Sequence, residues 1–177
     1  MTYPAHIFIV RHAEKPGESH VDGPNDGPNL SVRGHTRAVG LGLYKPFSHK
    51  VHHVIATKKS KGSVRPIETI TPFADAVKIK VETKWSDEDF SVLAKRLLSK
   101  KKYKGKVVAI CWHHGKIPEL IDVLGGNPCV APMKNCIWDA DVFDRIIHLA
   151  YTSDDEENFT VVTKSIPQKL LFGDSEK

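Results

Sequence analysis

The chain has 177 residues, of which 40% are hydrophobic and 27% charged, and its formal net charge at pH 7 is +5. These proportions are typical of a globular domain and disfavour a disordered, fibrous or membrane protein. The longest apolar runs are far shorter than the roughly 20 residues that a membrane-spanning helix needs. Positive charge favours anionic ligands without identifying one. We expect a single domain over residues 1–165 and a loose C-terminal tail over residues 166–177.

The first half of the chain alternates between strand and helix signals. Residues 6–10 form a short apolar, β-branched run, which predicts a buried first strand. Residues 13–30 contain too many glycines, prolines and asparagines for a regular element, so we expect a loop there. Ser31 can cap a helix that extends to Pro46. A strand over residues 51–57 and a helix from Arg65-Pro66 to about Ala76 repeat the order.

The second half continues this alternation. It predicts a short strand over residues 77–82, a helix that Asp87 can cap, a buried strand over 106–111 and a helix over 117–124. Two last strands, over 142–151 and 159–162, flank a polar turn. Such an order predicts an α/β fold, namely a three-layer α/β/α sandwich whose central sheet is mostly parallel and has helices on both faces.

Arginines and histidines follow three of the predicted strands. Arg11 and His12 come after the first strand, Arg65 begins the helix after the second, and His113 and His114 come after the buried strand at 106–111. In sheets of this kind, ligands bind outside the carboxyl ends of the strands. We therefore expect these side chains to converge on one edge of the sheet.

Four motifs in this order resemble those of the histidine phosphatase superfamily, also called the phosphoglycerate-mutase-like family. They span residues 6–124 and are Arg11-His12-Ala13, Leu30-Ser31 followed by Gly34 and Ala38, Arg65-Pro66 followed by Thr69 and Pro72, and His114-Gly115 after a buried strand. The resemblance implies a phosphoglycerate-mutase-like fold. It also implies a phosphatase that hydrolyses a phosphate monoester through a phosphohistidine intermediate.

The resemblance gives each matching residue an expected role. His12 would be the nucleophile, and its other ring nitrogen would donate to a backbone carbonyl. Arg11 and Arg65 would hold the phosphate oxygens with guanidinium forks that lysine cannot reproduce. His114, or alternatively His113, would stabilise the transferred phosphoryl group. No cofactor and no catalytic metal ion are implied.

The group that protonates the leaving oxygen lies in no motif that can be matched. Four carboxyl groups are candidates for this role, and they belong to Glu14, Glu82, Asp87 and Glu88. The segment between Thr57 and Arg65 carries three lysines, which either form a positive rim for an acidic substrate or are simply a solvated turn.

A phosphorylated small molecule is the expected substrate, and neither nucleic acid nor a membrane is an expected partner. Alternatives on the same fold are a phosphomutase and a catalytically weak phosphate-binding or regulatory module. A metal protein that uses His52-His53 and His113-His114 is disfavoured, because adjacent histidines cannot easily bind one ion.

The cysteines and the N-terminus suggest a compartment. Cys111, Cys129 and Cys136 are an odd number at spacings unlike a common metal framework, so free thiols are expected. The first residues lack the basic, apolar and small-residue pattern of a secretion signal. Together these features predict a cytoplasmic protein.

Overall fold

The structure is a computed structural model that describes residues 3–17, 27–47, 49–130, 132–153 and 159–175. Its helices are α1 (Val32–Tyr44), α2 (Arg65–Ala76), α3 (Phe90–Ser99) and α4 (Ile117–Val123). Its strands are β1 (His6–Arg11), β2 (His53–Ala56), β3 (Val81–Glu82), β4 (Val107–Trp112), β5 (Met133–Lys134), β6 (Ile137–Trp138), β7 (Arg145–Ser153) and β8 (Phe159–Pro167). Residues 18–26 of the predicted loop and the polar turn at 154–158 lie outside the described residues.

Six strands form one sheet in the order β3-β2-β4-β1-β7-β8. The pairs β2–β3, β2–β4 and β1–β4 are parallel, whereas β7 pairs antiparallel with both β1 and β8. Strands β5 and β6 form a separate antiparallel pair. The prediction of a mostly parallel central sheet is confirmed, and the carboxyl ends of β1, β2 and β4 meet at one edge.

Helices cover both faces of the sheet because the side chains of each strand alternate between the faces. Ile7 and Ile9 of β1 belong to a buried cluster that includes Leu93 of α3 and Ile121 of α4. Phe8 and Val10 belong to a second cluster on the opposite face, together with residues of α1 and α2. The three-layer α/β/α prediction is therefore confirmed.

Two helix starts differ in how well the sequence predicts them. The Ser31 hydroxyl accepts a hydrogen bond of 2.9 Å from the Gly34 N–H and caps α1, as expected. Asp87 does not cap α3, which corrects the prediction. Instead, the Asp89 carboxylate accepts a hydrogen bond of 2.8 Å from the Ser86 N–H, and Asp87 opens a single 3-10 turn before α3. The side chain of Asp87 therefore takes no part in capping the helix.

The C-terminal residues are docked rather than loose. Strand β8 continues past the predicted boundary at residue 165. Beyond it, the Asp174 carboxylate pairs with the guanidinium of Arg37 at 2.8 Å, and the Gln168 amide donates to the Phe143 carbonyl. The tail is held because a buried arginine of α1 needs carboxylates as partners. Residues 176 and 177 lie outside the described part of the chain.

The expectation of free thiols holds only for Cys111, which is buried. Cys129 and Cys136 form a disulfide, which their spacing did not reveal because a bridge depends on proximity in space. Two paired cysteines remove part of the support for a reducing compartment, so a cytoplasmic location stays a prediction. None of the helices in the described residues is long and apolar enough to cross a lipid bilayer.

Candidate active site

A cleft of about 410 Å³ lies where the carboxyl ends of β1 and β4 meet the start of α2. It contains every histidine and arginine that the motifs single out, together with one of the four candidate acids. Its lining consists of Arg11, His12, Lys15, Ser60, Ser63, Arg65, Asp87, His113, His114 and Gly115. The predicted convergence on one sheet edge is thus present in the structure.

His12 is buried at the base of this cleft. Its Nδ1 lies 2.7 Å from the carbonyl oxygen of Ala13. Because a carbonyl can only accept, Nδ1 must carry the proton, and the lone pair is then on Nε2. The pKa of His12 is lowered to about 2, mainly by burial and also by the charges of Arg11 and Arg65. The ring is therefore neutral at pH 7, the form in which Nε2 can act as a nucleophile.

Arg11 is held by the segment that precedes β7. Its Nη1 donates to the carbonyl oxygens of Ala140 at 2.5 Å and Val142 at 3.1 Å. The guanidinium carbon lies 3.6 Å from the centroid of the Phe143 ring, a cation–π contact. The side chain is fully buried, so these contacts place a fixed positive charge beside His12.

Arg65 approaches from the opposite wall, at the first turn of α2. Its Nη1 donates to the Gly27 carbonyl at 3.0 Å and its Nη2 to the Gly62 carbonyl at 3.3 Å. Pro66, directly after it, suits the first turn of a helix because its missing N–H would have no partner there. The sequence Arg65-Pro66 thus starts the helix and places the guanidinium at the rim of the cleft.

The third motif is connected to the first through Thr69. The Thr69 hydroxyl accepts a hydrogen bond of 2.9 Å from the Ala13 N–H and donates one of 2.8 Å to the Arg65 carbonyl. One step earlier on α2, Glu68 accepts a hydrogen bond from the Leu30 N–H at 2.8 Å. These contacts fix the backbone at Ala13 and Leu30, both of which follow the nucleophile in the chain, against the helix that carries Arg65.

The second motif places α1 against the same backbone. The Ser31 N–H donates to the Glu14 carbonyl at 2.9 Å. A Cβ at Gly34 would lie 2.2 Å from that carbonyl oxygen, which is a steric clash. Gly34 therefore allows the helix to approach the chain just after His12, and its role in this motif is close packing.

Both His113 and His114 line the cleft, but they lie at different distances from the nucleophile. The ring centroid of His113 is 5.2 Å from that of His12, and that of His114 is 6.4 Å away. Burial lowers the pKa of each ring to about 4, with a further contribution from Arg11. The distance to His12 thus favours His113, whereas the sequence motif favours His114, which directly precedes Gly115.

Three of the four candidate acids are paired elsewhere. Glu14 is buried and bonds to Arg37 at 2.8 Å. Glu82 pairs with Lys102 at 3.2 Å on the edge strand β3. Glu88 is exposed and pairs with Lys116 at 3.2 Å. The cleft lining contains none of these three carboxylates.

Asp87 is the candidate acid that the cleft does contain. Its Oδ1 is buried and has no hydrogen-bond partner within the described ranges. Its pKa is raised to about 6, mainly by burial and also by the nearby charge of Glu88, while the charge of Lys116 opposes this rise. A half-buried carboxyl group that titrates near neutral pH has the character of a proton donor.

Sequence reasoning missed several residues around this site. Ser60 and Ser63 contribute to the cleft from the basic segment, whose lysines 58, 59 and 61 are exposed. A second cavity of about 640 Å³ adjoins the first, since His114 and Gly115 line both. Trp138, a core residue at its inner side, is among the residues that line this second cavity.

No protein-family model matches the sequence. A search of curated proteins finds no match either. Solved structures, in contrast, resemble this one over nearly the whole chain. The protein histidine phosphatase SixA in complex with tungstate has a TM-score of 0.59 and 13% identity, over 92% of this chain and 97% of that chain.

Two further structures extend the likeness. A phosphoglycerate mutase from Bacillus anthracis has a TM-score of 0.55 and 14% identity, over 92% of this chain and 93% of that one. A mycobacterial glucosyl-3-phosphoglycerate phosphatase has a TM-score of 0.53 and 14% identity, over 92% and 97%. At such identities the likeness concerns the fold. The protein thus has the fold of the histidine phosphatase superfamily, as the four motifs predicted.

Proposed function

We propose that this protein is a phosphatase that hydrolyses a phosphate monoester through a phosphohistidine on His12. The single observation that supports this most is the state of His12. It is a buried, neutral imidazole whose tautomer is set by Ala13 and which shares its cleft with two arginines, Arg11 and Arg65. A phosphate dianion repels a nucleophile unless fixed cations neutralise its oxygens, and Arg11 and Arg65 supply those cations.

In the first step, Nε2 of His12 attacks phosphorus while the bond from phosphorus to the leaving oxygen breaks. Asp87 donates its proton to that oxygen and becomes a carboxylate. In the second step, a water molecule attacks the phosphohistidine, its proton passes to Asp87, and inorganic phosphate leaves. The cycle returns His12 neutral and Asp87 protonated, so that no metal ion or cofactor is required.

His113 is proposed as the second phosphate-binding histidine, on the basis of its shorter distance from His12. Its pKa is low because of burial and the charge of Arg65. A bound phosphate would neutralise that charge, and the pKa of the ring would rise toward the protonated, donating form. His114, which lines both cavities, is proposed to lie at the junction between the phosphate and its leaving group.

The adjoining cavity is proposed to hold the leaving group. Its volume lies in the range of small-molecule sites, which is about 300–1,000 Å³. Its walls are largely apolar, from Pro118, Pro128, Ile137 and Trp138, with Glu119 and Asp122 at the edge. A phosphorylated small molecule with an apolar face fits this lining better than a nucleic acid or a membrane surface. Tungstate, present in one structural neighbour, is a tetrahedral oxyanion like phosphate.

The test uses wild type, His12→Ala and the control His35→Ala, in which an exposed histidine of α1 is removed. Each protein is incubated with an aryl phosphate in EDTA, quenched in alkaline denaturant and analysed by mass spectrometry. We expect turnover and a transient phosphoryl adduct on His12 in wild type and in His35→Ala, and neither in His12→Ala. Equal turnover in His12→Ala would overturn the mechanism.

Two other outcomes distinguish the alternatives on this fold. Transfer of the phosphoryl group to a hydroxyl acceptor in preference to water would indicate a phosphomutase. Binding of phosphate or tungstate with no turnover of any ester tested would indicate a phosphate-binding module.

A further inference from the structure

Three histidines from distant parts of the chain lie together at the end of the sheet that is opposite to the cleft. His6 begins β1, His49 lies between α1 and β2, and His148 is in β7. One possible ligand nitrogen from each ring lies within 4.8 Å of the other two. In the part of the chain that the structure describes, no other three His, Cys, Asp or Glu side chains meet this condition.

The strand register brings His6 and His148 together. Phe8 pairs directly with His148 across β1 and β7, and His6 lies two residues before Phe8 on the same face of the sheet. Nδ1 of His6 is 3.1 Å from Nε2 of His148. The Phe8 ring stacks on the His148 ring with a centroid distance of 4.4 Å, which restricts the orientation of that imidazole.

His49 completes the group from the segment that leads into β2. Its ring centroid lies 3.8 Å from that of His6 and 5.9 Å from that of His148. Its side chain is exposed, and its ring stacks on that of His6 with an angle of 27° between the two planes. A rotation of the exposed His49 ring would be needed to direct its lone pair at an ion shared with His6 and His148.

The charge state of the rings suits a metal ion. The pKa of His148 is lowered to about 4, mainly by burial and also by His6, His49 and Lys164. Burial and His49 also lower the pKa of His6. Neutral imidazole is the form that ligates a metal ion. One of the two nitrogens in the 3.1 Å contact between His6 and His148 carries a proton, so the ring that donates there must take its other tautomer before both lone pairs can face an ion.

We propose that His6, His49 and His148 form a binding site for a divalent transition-metal cation of the zinc class, with a fourth position open to water. Imidazoles suit Zn²⁺, and a set without carboxylates does not suit Mg²⁺ or Ca²⁺. At Zn–N distances near 2.1 Å, tetrahedral geometry separates the nitrogens by about 3.4 Å. The pair His6–His148 already has nearly this separation.

The site is separate from the proposed phosphatase chemistry. His6 and His12 stand six residues apart along β1, which corresponds to about 20 Å in an extended strand. A bound ion would join the start of β1, the segment before β2 and strand β7. Because it binds the folded state and not the separated segments, it would raise the melting temperature.

The experiment measures Zn²⁺ binding by competition with a chromophoric chelator, for wild type, His49→Ala and His148→Ala. His12→Ala and His35→Ala are the controls, the first for the cleft and the second for exposed histidines in general. We expect one equivalent of Zn²⁺ in wild type and in both controls, and at least about tenfold weaker binding in the other two variants. Co²⁺ should give a tetrahedral visible spectrum that His49→Ala abolishes.

Three results would overturn the proposal. They are no saturable Zn²⁺ binding by wild type, unchanged affinity in His49→Ala, or loss of binding in His12→Ala alone, which would place the ion in the cleft. His49 is exposed, so failure of that variant to fold is not expected, and its melting temperature in EDTA should equal that of wild type. Since these measurements do not use phosphatase activity, failure of the proposed function would leave them unaffected.

Discussion

The Thr69 hydroxyl on α2 accepts a hydrogen bond of 2.9 Å from the N–H of Ala13, the residue directly after the proposed nucleophile. Ala13 also supplies the carbonyl oxygen that sets the tautomer of His12. Thr69 therefore holds the backbone of Ala13 in place, and Ala13 in turn orients the imidazole of His12. The first and third motifs are far apart in the sequence but are in direct contact in the fold.

This contact predicts a selective effect of Thr69→Val. Valine has nearly the same shape but leaves the buried Ala13 N–H without a partner, which costs about 1–3 kcal/mol of the free energy of unfolding. We also expect a fall in kcat, because the carbonyl that orients His12 is less well fixed. Thr69→Ser keeps the hydroxyl and should retain most of both quantities. Urea denaturation and steady-state kinetics measure them, and equal behaviour of the two variants would contradict this role.

His113→Ala and His114→Ala together decide which ring contacts the phosphoryl group. Because His113 is nearer to His12, we expect its loss to lower kcat with an aryl phosphate by about 100-fold, as when a donor to a developing charge is removed. Loss of His114 should raise KM for esters with large leaving groups and change kcat less. The opposite pattern would restore the assignment of His114 from its place before Gly115.

Asp87→Asn tests the proton donor through the choice of leaving group. An alkyl phosphate needs protonation of its leaving oxygen, so kcat/KM, which reports formation of the phosphohistidine and not its hydrolysis, should fall by about 100-fold or more. An aryl phosphate with an acidic phenol needs little help and should be affected far less. Glu88→Gln, one residue along and exposed, is the matched control. A uniform loss on both substrates would indicate a structural role for Asp87.

The same residue predicts the pH dependence of activity. Asp87 donates only when protonated, and burial raises its pKa to about 6. Alkyl phosphatase activity should therefore fall as pH rises through about 6, while His12 stays neutral across this range because its pKa is about 2. In Asp87→Asn the residual activity should lose this dependence. A pH–rate profile with the same limb in the variant would assign that limb to another group.

The parts of the site that follow from the chain pattern are those that depend on strand ends. Arg11, His12, Arg65 and His113 come directly after strands or open a helix, so a parallel sheet must gather them. Asp87 could not be selected in this way, because three successive carboxylates occupy the turn before α3 and only the cap formed by Asp89 decides which faces the cleft.

Contacts between segments that are distant in the chain could not be predicted from the sequence either. The Cys129–Cys136 disulfide depends on the loop that carries it, and the group His6, His49 and His148 depends on strand register and on one connecting segment. Neither leaves a spacing signal in the sequence. The docked tail is of the same kind, since a carboxylate at residue 174 finds its arginine 137 positions earlier.

Arg37 is the residue on which the docked tail depends. Its guanidinium is buried and donates to Glu14 at 2.8 Å, to Asp174 at 2.8 Å and to Gln168 at 3.3 Å. Arg37→Met would leave two nearly buried carboxylates without their buried counter-charge and with only the more exposed Arg33 beside them, so we expect up to about 3–5 kcal/mol of destabilisation at pH 7. Arg33→Met removes a far more exposed partner of Glu14 and should cost less than about 1 kcal/mol.

The penalty of Arg37→Met should also depend on pH. Burial alone would raise the pKa of Asp174, but Arg37 and the N–H groups of Leu170 and Leu171 together lower it below its ordinary value. A carboxyl group with a depressed pKa in the folded state contributes stability above its unfolded pKa and loses it as pH falls through the folded pKa. The difference between wild type and Arg37→Met should therefore be largest near neutral pH and shrink below about pH 4. Urea denaturation of both proteins across this range measures it, and a difference that does not change with pH would mean that Arg37 acts through packing instead of charge.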